Sequence, residues 1–226
     1  MKTIHAYESQ KILDTLKQNI ESFRILLETI DDDVTRQNIL RSMLLFACFG
    51  IDAIVKQLIN EALSLVIERE IGAQEKLKKY TSRELKKDSD YTLTAELLTV
   101  KDSRKWLIER LKVELSINSL QSADQLYKVA SYFNISTEKL VDKDNKAILK
   151  DAFHTRNIIV HQMDIDLANN TVNRHEIKEI NDFVQTIYMV ANNFITEVNN
   201  ILCKPVTDDY APMFSFENGV FSIRSE

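Results

Sequence analysis

The stretch "LLFACFGIDAIVKQLI", residues 44–59, decides the fold because it holds most of the longest apolar run of the chain. No proline precedes or interrupts it, since both prolines, Pro205 and Pro212, lie close to the C-terminus. Proline breaks a helix, and its absence leaves residues 1–204 free to be helical throughout. We therefore predict an all-α protein whose core is centred on this stretch.

Apolar residues recur at spacings of three and four on both sides of this stretch, which is the helical period. We predict one helix over residues 5–30 and a long second helix over residues 34–79 with a kink near Gly72. The segment "DDDV", residues 31–34, should end the first helix and cap the second. Further helices are expected at residues 102–115, 122–133, 145–161 and 174–202, with a short one capped by Ser136 or Thr137.

Three segments depart from the helical pattern. Residues 81–99 are rich in Ser, Thr, Asp and Lys, and predict short helical turns or loop in a flexible insertion. "MDIDLANNTVN", residues 163–173, predicts a polar loop. After Pro205, apolar and polar residues alternate around Asn218-Gly219, which favours a small β-hairpin. The chain thus divides into a helical domain, residues 1–204, and a tail with a hairpin, residues 205–226.

Composition narrows the classes of function and location. The formal net charge is −5 with both signs mixed along the chain, so no sustained basic stripe indicates a broad nucleic-acid groove. This mixture of acidic and basic residues is compatible with an enzyme that binds a single phosphate group. The N-terminal "MKTIHAYESQ" lacks the apolar core of a signal peptide, and the run from Met43 to Val55 is interrupted by Asp52 and too short to span a bilayer. We expect a cytoplasmic protein with no membrane partner.

Cysteine and histidine usage argues against a metal or a cofactor. Cys48 and Cys203 do not form a disulfide framework, and Cys48 lies in the apolar run, where a buried free thiol is expected. No Cys/His cluster has zinc-ligand spacing, and no glycine-rich loop suits a bound phosphate. We predict no metal site and no cofactor.

The segment "HTRNIIVHQMDID", residues 154–166, concentrates polar chemistry around a short apolar run. Asn157 and His161 are four residues apart and share a helix face, and His154 falls on the same stripe seven residues before His161. Arg156 precedes His161 by five positions, about 140° around an ideal helix. Arg156 and His161 therefore meet only if the helix ends or distorts between them, which the polar loop after His161 favours.

These residue types suit RNA cleavage without a metal. The 2′-hydroxyl of RNA must lose a proton as it attacks the adjacent phosphate, and the resulting phosphorane needs a cation. Histidine titrates near neutrality, and the arginine fork binds two phosphate oxygens. One chain offers a single His161 with a single Arg156, whereas the reaction benefits from both an acid and a base. Two copies facing across a two-fold axis would supply both, so we expect a homodimer.

The same residues also have purely structural interpretations, and both remain open at this point. Arg156 can lay its stem on Phe153 and Val160 at the surface, and His161 can be a polar C-terminal residue favoured by the helix dipole. Asp52, flanked by apolar residues, is costly to bury without a partner. It is either a polar edge position beside Lys56 or a supporting partner that orients Arg156 or His161.

The core "RNIIVH", residues 156–161, resembles the Arg-polar-x3-His signature of HEPN domains, a helical family of prokaryotic toxins and phage-defence nucleases. The surroundings are similar as well: an early long helix with an acidic residue in an apolar run, the motif near the end of a penultimate long helix, and a final long helix. The likeness spans most of residues 1–203, although only the six-residue core is specific. It is closest to the larger RiboL-PSP-like HEPN proteins.

The resemblance implies a HEPN-like up-and-down helical bundle and a metal-independent endoribonuclease with a composite site in a homodimer. Arg156, Asn157 and His161 match the motif positions and would be catalytic. Asp52, from its place in the apolar run, and His154, from its spacing to His161, are our candidates for supporting residues. A toxin or anti-phage defence effector is implied, with RNA as substrate and an antitoxin or defence-system protein as partner. Met163 stands where many toxin relatives carry a tyrosine, so silencing by nucleotide transfer is not supported.

Two functions from different classes follow from this segment. The first is an RNA-cleaving HEPN dimer, which the intact Arg-Asn-x3-His pattern favours. The alternative is a catalytically silent HEPN-like dimeric module for binding or regulation, which the lack of a basic surface favours. Cleavage of mixed RNAs in the presence of a chelator would distinguish them.

Overall fold

The structure is a computed structural model that describes residues 6–117, 119–204, 214–217 and 220–223, the last two groups by their backbone. It confirms an all-α protein with a small C-terminal β-hairpin. The elements, in chain order, are α1 (Tyr7–Thr29), α2 (Asp33–Arg69), α3 (Ile71–Lys87), α4 (Thr92–Thr99), α5 (Ser103–Ile117), α6 (Ala123–Tyr132), α7 (Thr137–Leu140), α8 (Lys143–Gln162), β1 (Ile165–Asp166), β2 (Thr171–Val172), α9 (Ile177–Cys203), β3 (Phe214–Glu217) and β4 (Val220–Ile223).

The central element is α2, which packs along α1 and α9 and also contacts α3, α5, α6 and α8. Its apolar side chains are buried on nearly all sides, as the sequence of residues 44–59 predicts. The fully buried ones include Met43, Leu44, Ile51, Ile54, Leu58, Ile59, Leu63 and Ile67. Asp32 caps the helix by accepting a hydrogen bond from the Thr35 amide at 2.8 Å, which confirms the predicted boundary after α1.

The predicted single helix over residues 34–79 is wrong, because the chain breaks at Glu70 into α2 and α3. Glu70 is extended (φ −114°, ψ 116°), and its carboxylate binds Lys204 at 2.8 Å and the Asn134 side chain at 2.9 Å. Gly72 has a different role from the predicted kink. A Cβ there would lie 2.0 Å from the Asn134 side-chain oxygen, so glycine permits this close approach.

Residues 81–99 are more regular than the predicted flexible insertion. The helix α3 continues to Lys87, and α4 occupies Thr92–Thr99, which leaves only a short turn between them. Asp88 holds this turn, because its carboxylate accepts hydrogen bonds from the amides of Leu93 and Thr94 at 2.9 and 2.8 Å. One carboxylate therefore organises a segment whose polar composition predicts short helical turns or loop.

The two segments predicted to be non-helical near the C-terminus contain short strands. Residues 163–173 are not a plain loop, because β1 and β2 pair antiparallel, with Ile165 opposite Val172. In the tail, β3 and β4 pair antiparallel with Phe216 opposite Phe221, as the alternating pattern predicts. The Asn218-Gly219 turn lies outside the described residues.

Within the described part of the chain, α2 is the one helix long and apolar enough to cross a membrane by length and composition alone. Half of its most apolar window is buried inside the protein, and core helices of soluble proteins meet the same criteria. The finding does not identify a membrane span, and a cytoplasmic location stays a prediction.

Candidate active site

The helix α8 carries the motif and is defined at both ends by local contacts. Asp142 caps its start by accepting a hydrogen bond from the Asn145 amide at 2.9 Å. At its end Met163 adopts a left-handed conformation (φ 53°), and the amides of Met163 and Asp164 both return to the Ile158 carbonyl. Because α8 runs unbroken through Gln162, the whole of "RNIIVH" lies on regular helix.

Arg156 lies half-buried between α8 and α2. Its guanidinium carbon is 5.7 Å from the centre of the Phe49 ring, and its Nη1 donates to the Asn157 side-chain oxygen at 2.9 Å. Burial raises the pKa of the Cys48 thiol to about 12, and the charge of Arg156 close by opposes that rise. The Nε of Arg156 is buried and has no hydrogen-bond partner among the described residues. Only one of the five N–H groups of Arg156 donates to a described residue, and no described carboxylate pairs with it, so this cation can bind an anion.

The other motif side chains are open to solvent. Asn157, His161 and His154 are exposed, and neither imidazole hydrogen-bonds to a described residue. His154, Asn157 and His161 recur at helical spacing on one stripe of α8, as predicted. The exposed imidazole of His161 lies one helical turn from Asn157, whose side chain binds Arg156. Such an imidazole can exchange a proton beside a phosphate bound to the arginine.

The expected distortion of α8 between Arg156 and His161 is wrong. Five residues of regular helix place the two positions about 140° apart, and Arg156 turns toward Phe49 on α2 while His161 faces solvent. Asn157 links the two sides, since it touches Arg156 and shares the stripe of His161. Within one chain, therefore, the arginine and the histidine do not converge head-on.

The prediction that Asp52 bonds Arg156 or His161 is wrong within the chain. One oxygen of Asp52 accepts a hydrogen bond from the Leu120 amide at 2.7 Å, and the other pairs with Lys56 at 2.9 Å. The carboxylate thus ties the connection between α5 and α6 to the core helix α2. Within one chain the contacts of Asp52 agree with its structural interpretation as an edge position beside Lys56, with an added backbone contact for its second oxygen. A contact with Arg156 or His161 of a partner copy, which the prediction also includes, stays a prediction.

A cluster of buried polar side chains follows the motif, and it was not predicted from the sequence. We name it the Asp164 cluster: Arg41, Asp164, Asn173 and His175. Asp164 is only 1% exposed, and its carboxylate contacts Arg41 Nε at 2.6 Å and His175 Nε2 at 2.8 Å. Asn173 donates to it from the side chain at 3.2 Å, and the Asn173 carbonyl accepts from Arg41 at 2.9 Å. The buried charge is therefore fully compensated.

The Asp164 cluster fixes the end of the motif helix to the rest of the domain. Asp164 has a left-handed backbone (φ 61°) and lies three residues after His161, so its contact with Arg41 anchors the end of α8 to α2. Gln37 adds a reciprocal pair of hydrogen bonds with the backbone of His175, at 2.9 and 3.0 Å. His161 is consequently displayed from a rigid helix end.

No group of three or more potential metal ligands occurs among the residues that the structure describes. The histidines of α8 are exposed and separate from the Asp164 cluster, whose groups are already paired with one another. The prediction of a metal-free site remains a prediction.

Comparisons with protein-family models, with curated proteins and with solved structures found no match to this chain.

Proposed function

We propose that this chain is a metal-independent endoribonuclease of the HEPN type, active as a homodimer, that serves as a toxin or anti-phage defence effector. The proposal rests on one observation above all, the state of Arg156. Its guanidinium is held by the Phe49 ring and the Asn157 amide, and no described carboxylate forms an ion pair with it. A half-buried arginine whose charge is unpaired is suited to bind a phosphate oxygen.

The reaction follows from the groups that accompany Arg156. A histidine removes the proton of the 2′-hydroxyl, whose oxygen attacks the neighbouring phosphorus, and the bond from phosphorus to the 5′-oxygen breaks. A second histidine protonates the departing 5′-oxygen. Arg156 stabilises the charge that develops on the equatorial oxygens of the phosphorane. The products are a 2′,3′-cyclic phosphate and a 5′-hydroxyl.

A homodimer supplies what one chain lacks. In one copy Arg156 and His161 lie on different sides of α8, and a single His161 cannot be acid and base at once. Two copies of α8 related by a two-fold axis place a second histidine in the same cleft. Exposed apolar side chains near the motif offer a surface for that contact: Phe46, Phe49, Val160 and Met163.

The dimer is testable with a surface substitution on the motif helix. Wild-type protein is expected to be a dimer at micromolar concentration in sedimentation velocity, and Val160→Glu to shift it toward monomer, because a carboxylate at a packed two-fold contact is costly. Val160 is 39% exposed, so its replacement should leave the fold intact. The matched control is Val113→Glu on α5, an exposed valine away from α8. A monomeric wild type, or equal behaviour of the two variants, would refute the two-fold arrangement.

The chemistry is tested by incubating the purified chain with mixed RNAs in excess chelator and mapping the ends. Cleavage is expected without added metal, with 2′,3′-cyclic phosphate and 5′-hydroxyl termini, because internal attack by the 2′-hydroxyl leaves no other pair directly. A matched RNA whose 2′-hydroxyls are methylated should remain intact. Activity that requires magnesium or yields 5′-phosphate ends would contradict the proposed reaction.

A second candidate is a catalytically silent dimeric module of the same architecture that binds a partner or regulates it. One observation favours it, namely the separation of Arg156 and His161 around a continuous helix. For this alternative, RNA would remain uncut in the chelator experiment while the dimer persists. The presence of all three motif residue types near the C-terminal end of α8, with Asn157 and His161 exposed and Arg156 half-buried, leads us to favour the nuclease.

A further inference from the structure

The outer face of α3 carries a concentration of positive charge that the overall composition hides. Its 17 residues contain six basic and two acidic side chains, a net charge of +4 in a chain whose formal net charge is −5. The opposite face of the helix packs into the protein through Ala73, Gln74, Leu77 and Tyr80. A surface groove runs along α3, lined by Glu75, Lys78, Lys79, Ser82, Arg83, Lys86 and Lys87.

Not all of these cations are available to a partner. Arg83 binds both oxygens of Glu114 at 2.7 and 2.9 Å, and Lys87 pairs with Glu84 at 3.2 Å. Lys78, Lys79 and Lys86 form no ion pair with a described carboxylate. Lys79 and Lys86 are seven residues apart on one side of the helix, about 10.5 Å along its axis, and Lys78 projects about 100° from Lys79. The three uncompensated ammonium groups therefore lie on a surface stripe about 100° wide.

We propose that this face, the α3 lysine stripe (Lys78, Lys79 and Lys86), binds the phosphate backbone of single-stranded RNA, the substrate class of the proposed function on which this inference rests. A group of unpaired lysines on one side of a helix offers point charges to the phosphates of a nucleic-acid strand without reading bases. Ser82 lies between the lysines and adds a hydroxyl donor to the groove. Glu75 is the one carboxylate among the residues that line this groove. It lies at the N-terminal end of the groove and forms no ion pair with a described residue.

The stripe and the motif lie on different elements of the fold. Arg156 contacts Phe49 on α2 and Asn157 on α8, whereas the three lysines lie on α3, which begins after Arg69. The stripe acts as an electrostatic holding surface and not as part of the reacting site.

The test measures counterion release, which counts lysine–phosphate contacts. The wild-type chain is titrated with a labelled 2′-O-methyl oligouridylate, which keeps every phosphate but lacks the 2′-hydroxyl nucleophile, so binding is measured whether or not the chain cleaves RNA. The slope of log K against log salt is expected to fall in magnitude by about 2 when Lys78, Lys79 and Lys86 are replaced by Gln, at about 0.7 per phosphate contact on a single strand. Glutamine preserves the helix, since its propensity is close to that of lysine.

Two matched variants make the result decisive. Lys17→Gln, Lys128→Gln and Lys143→Gln together remove the same charge from exposed positions on α1, α6 and α8, and should leave the slope nearly unchanged. Replacement of the stripe lysines by arginine should retain the wild-type slope. An equal loss in both triple-Gln variants, or none in the stripe variant, would overturn the proposal. Binding to phosphatidylserine vesicles but not to the oligonucleotide would overturn it in favour of a membrane surface.

Discussion

Replacing His161 with alanine is expected to lower the rate of RNA cleavage by about a hundredfold or more, because the reaction loses its general acid–base group. The imidazole is exposed at the end of α8 and makes no hydrogen bond to a described residue, so its removal should leave fold and oligomeric state unchanged. Cleavage of a defined RNA is followed at saturating protein in chelator, with circular dichroism and sedimentation as structural checks.

Neighbouring substitutions separate catalysis from packing in the same assay. Arg156→Ala should lose about a hundredfold or more as well, since the phosphorane loses its cation, and Arg156→Lys should not restore the rate because the planar fork is gone. Asn157→Ala should cost less, because its amide only positions Arg156. Gln162→Ala, at an exposed position beside His161, serves as the unaffected control. Full activity of His161→Ala would refute the proposed mechanism and point to the binding module.

Most of the fold follows from patterns that are local in the sequence. Periodic apolar residues locate α1, α2, α5, α6, α8 and α9, and Asp32, in the segment 31–34 predicted to cap the second helix, caps α2. The break at Glu70 could not be foreseen, because it depends on Asn134 and Lys204, which are distant in the chain. Likewise, nothing near Asp88 indicates that its carboxylate would organise the start of α4.

The candidate site shows the same division between local and long-range information. Residue types and helical spacing identify Arg156, Asn157 and His161, and the stripe that Asn157 and His161 share is a property of α8 alone. The partner of Asp52 is a backbone amide 68 residues away, and Arg41 meets Asp164 across 123 residues. No motif in the sequence singles out His175, whose Nε2 contacts Asp164 at 2.8 Å. Only the three-dimensional fold brings these charges together.

Replacing Asp164 with alanine is expected to lower the free energy of unfolding by about 3 kcal/mol, because Arg41 would keep its largely buried charge without a counterion. Arg41 is 15% exposed and Asp164 1% exposed, so water can replace little of the lost contact. For a chain of this length the loss corresponds to a fall in Tm of roughly 6–12 °C, measured by calorimetry. Asp164→Asn should cost less, since an amide oxygen can still accept one hydrogen bond from Arg41 or His175.

Asp151→Ala is the matched control, because it removes an exposed aspartate from α8 without touching the Asp164 cluster. A larger fall in Tm for Asp164→Ala than for Asp151→Ala would show that the loss is due to the cluster and not to the loss of one acidic charge. A paired variant, Arg41→Met with Asp164→Leu, removes both charges and should regain much of the stability lost by Asp164→Ala, because no buried charge is then left unpaired. If Asp164→Ala and Asp151→Ala changed Tm equally, the cluster would not anchor the end of α8. If the paired variant were stable but slow in RNA cleavage, the anchor would serve to position His161, three residues before Asp164, as well as to hold the fold.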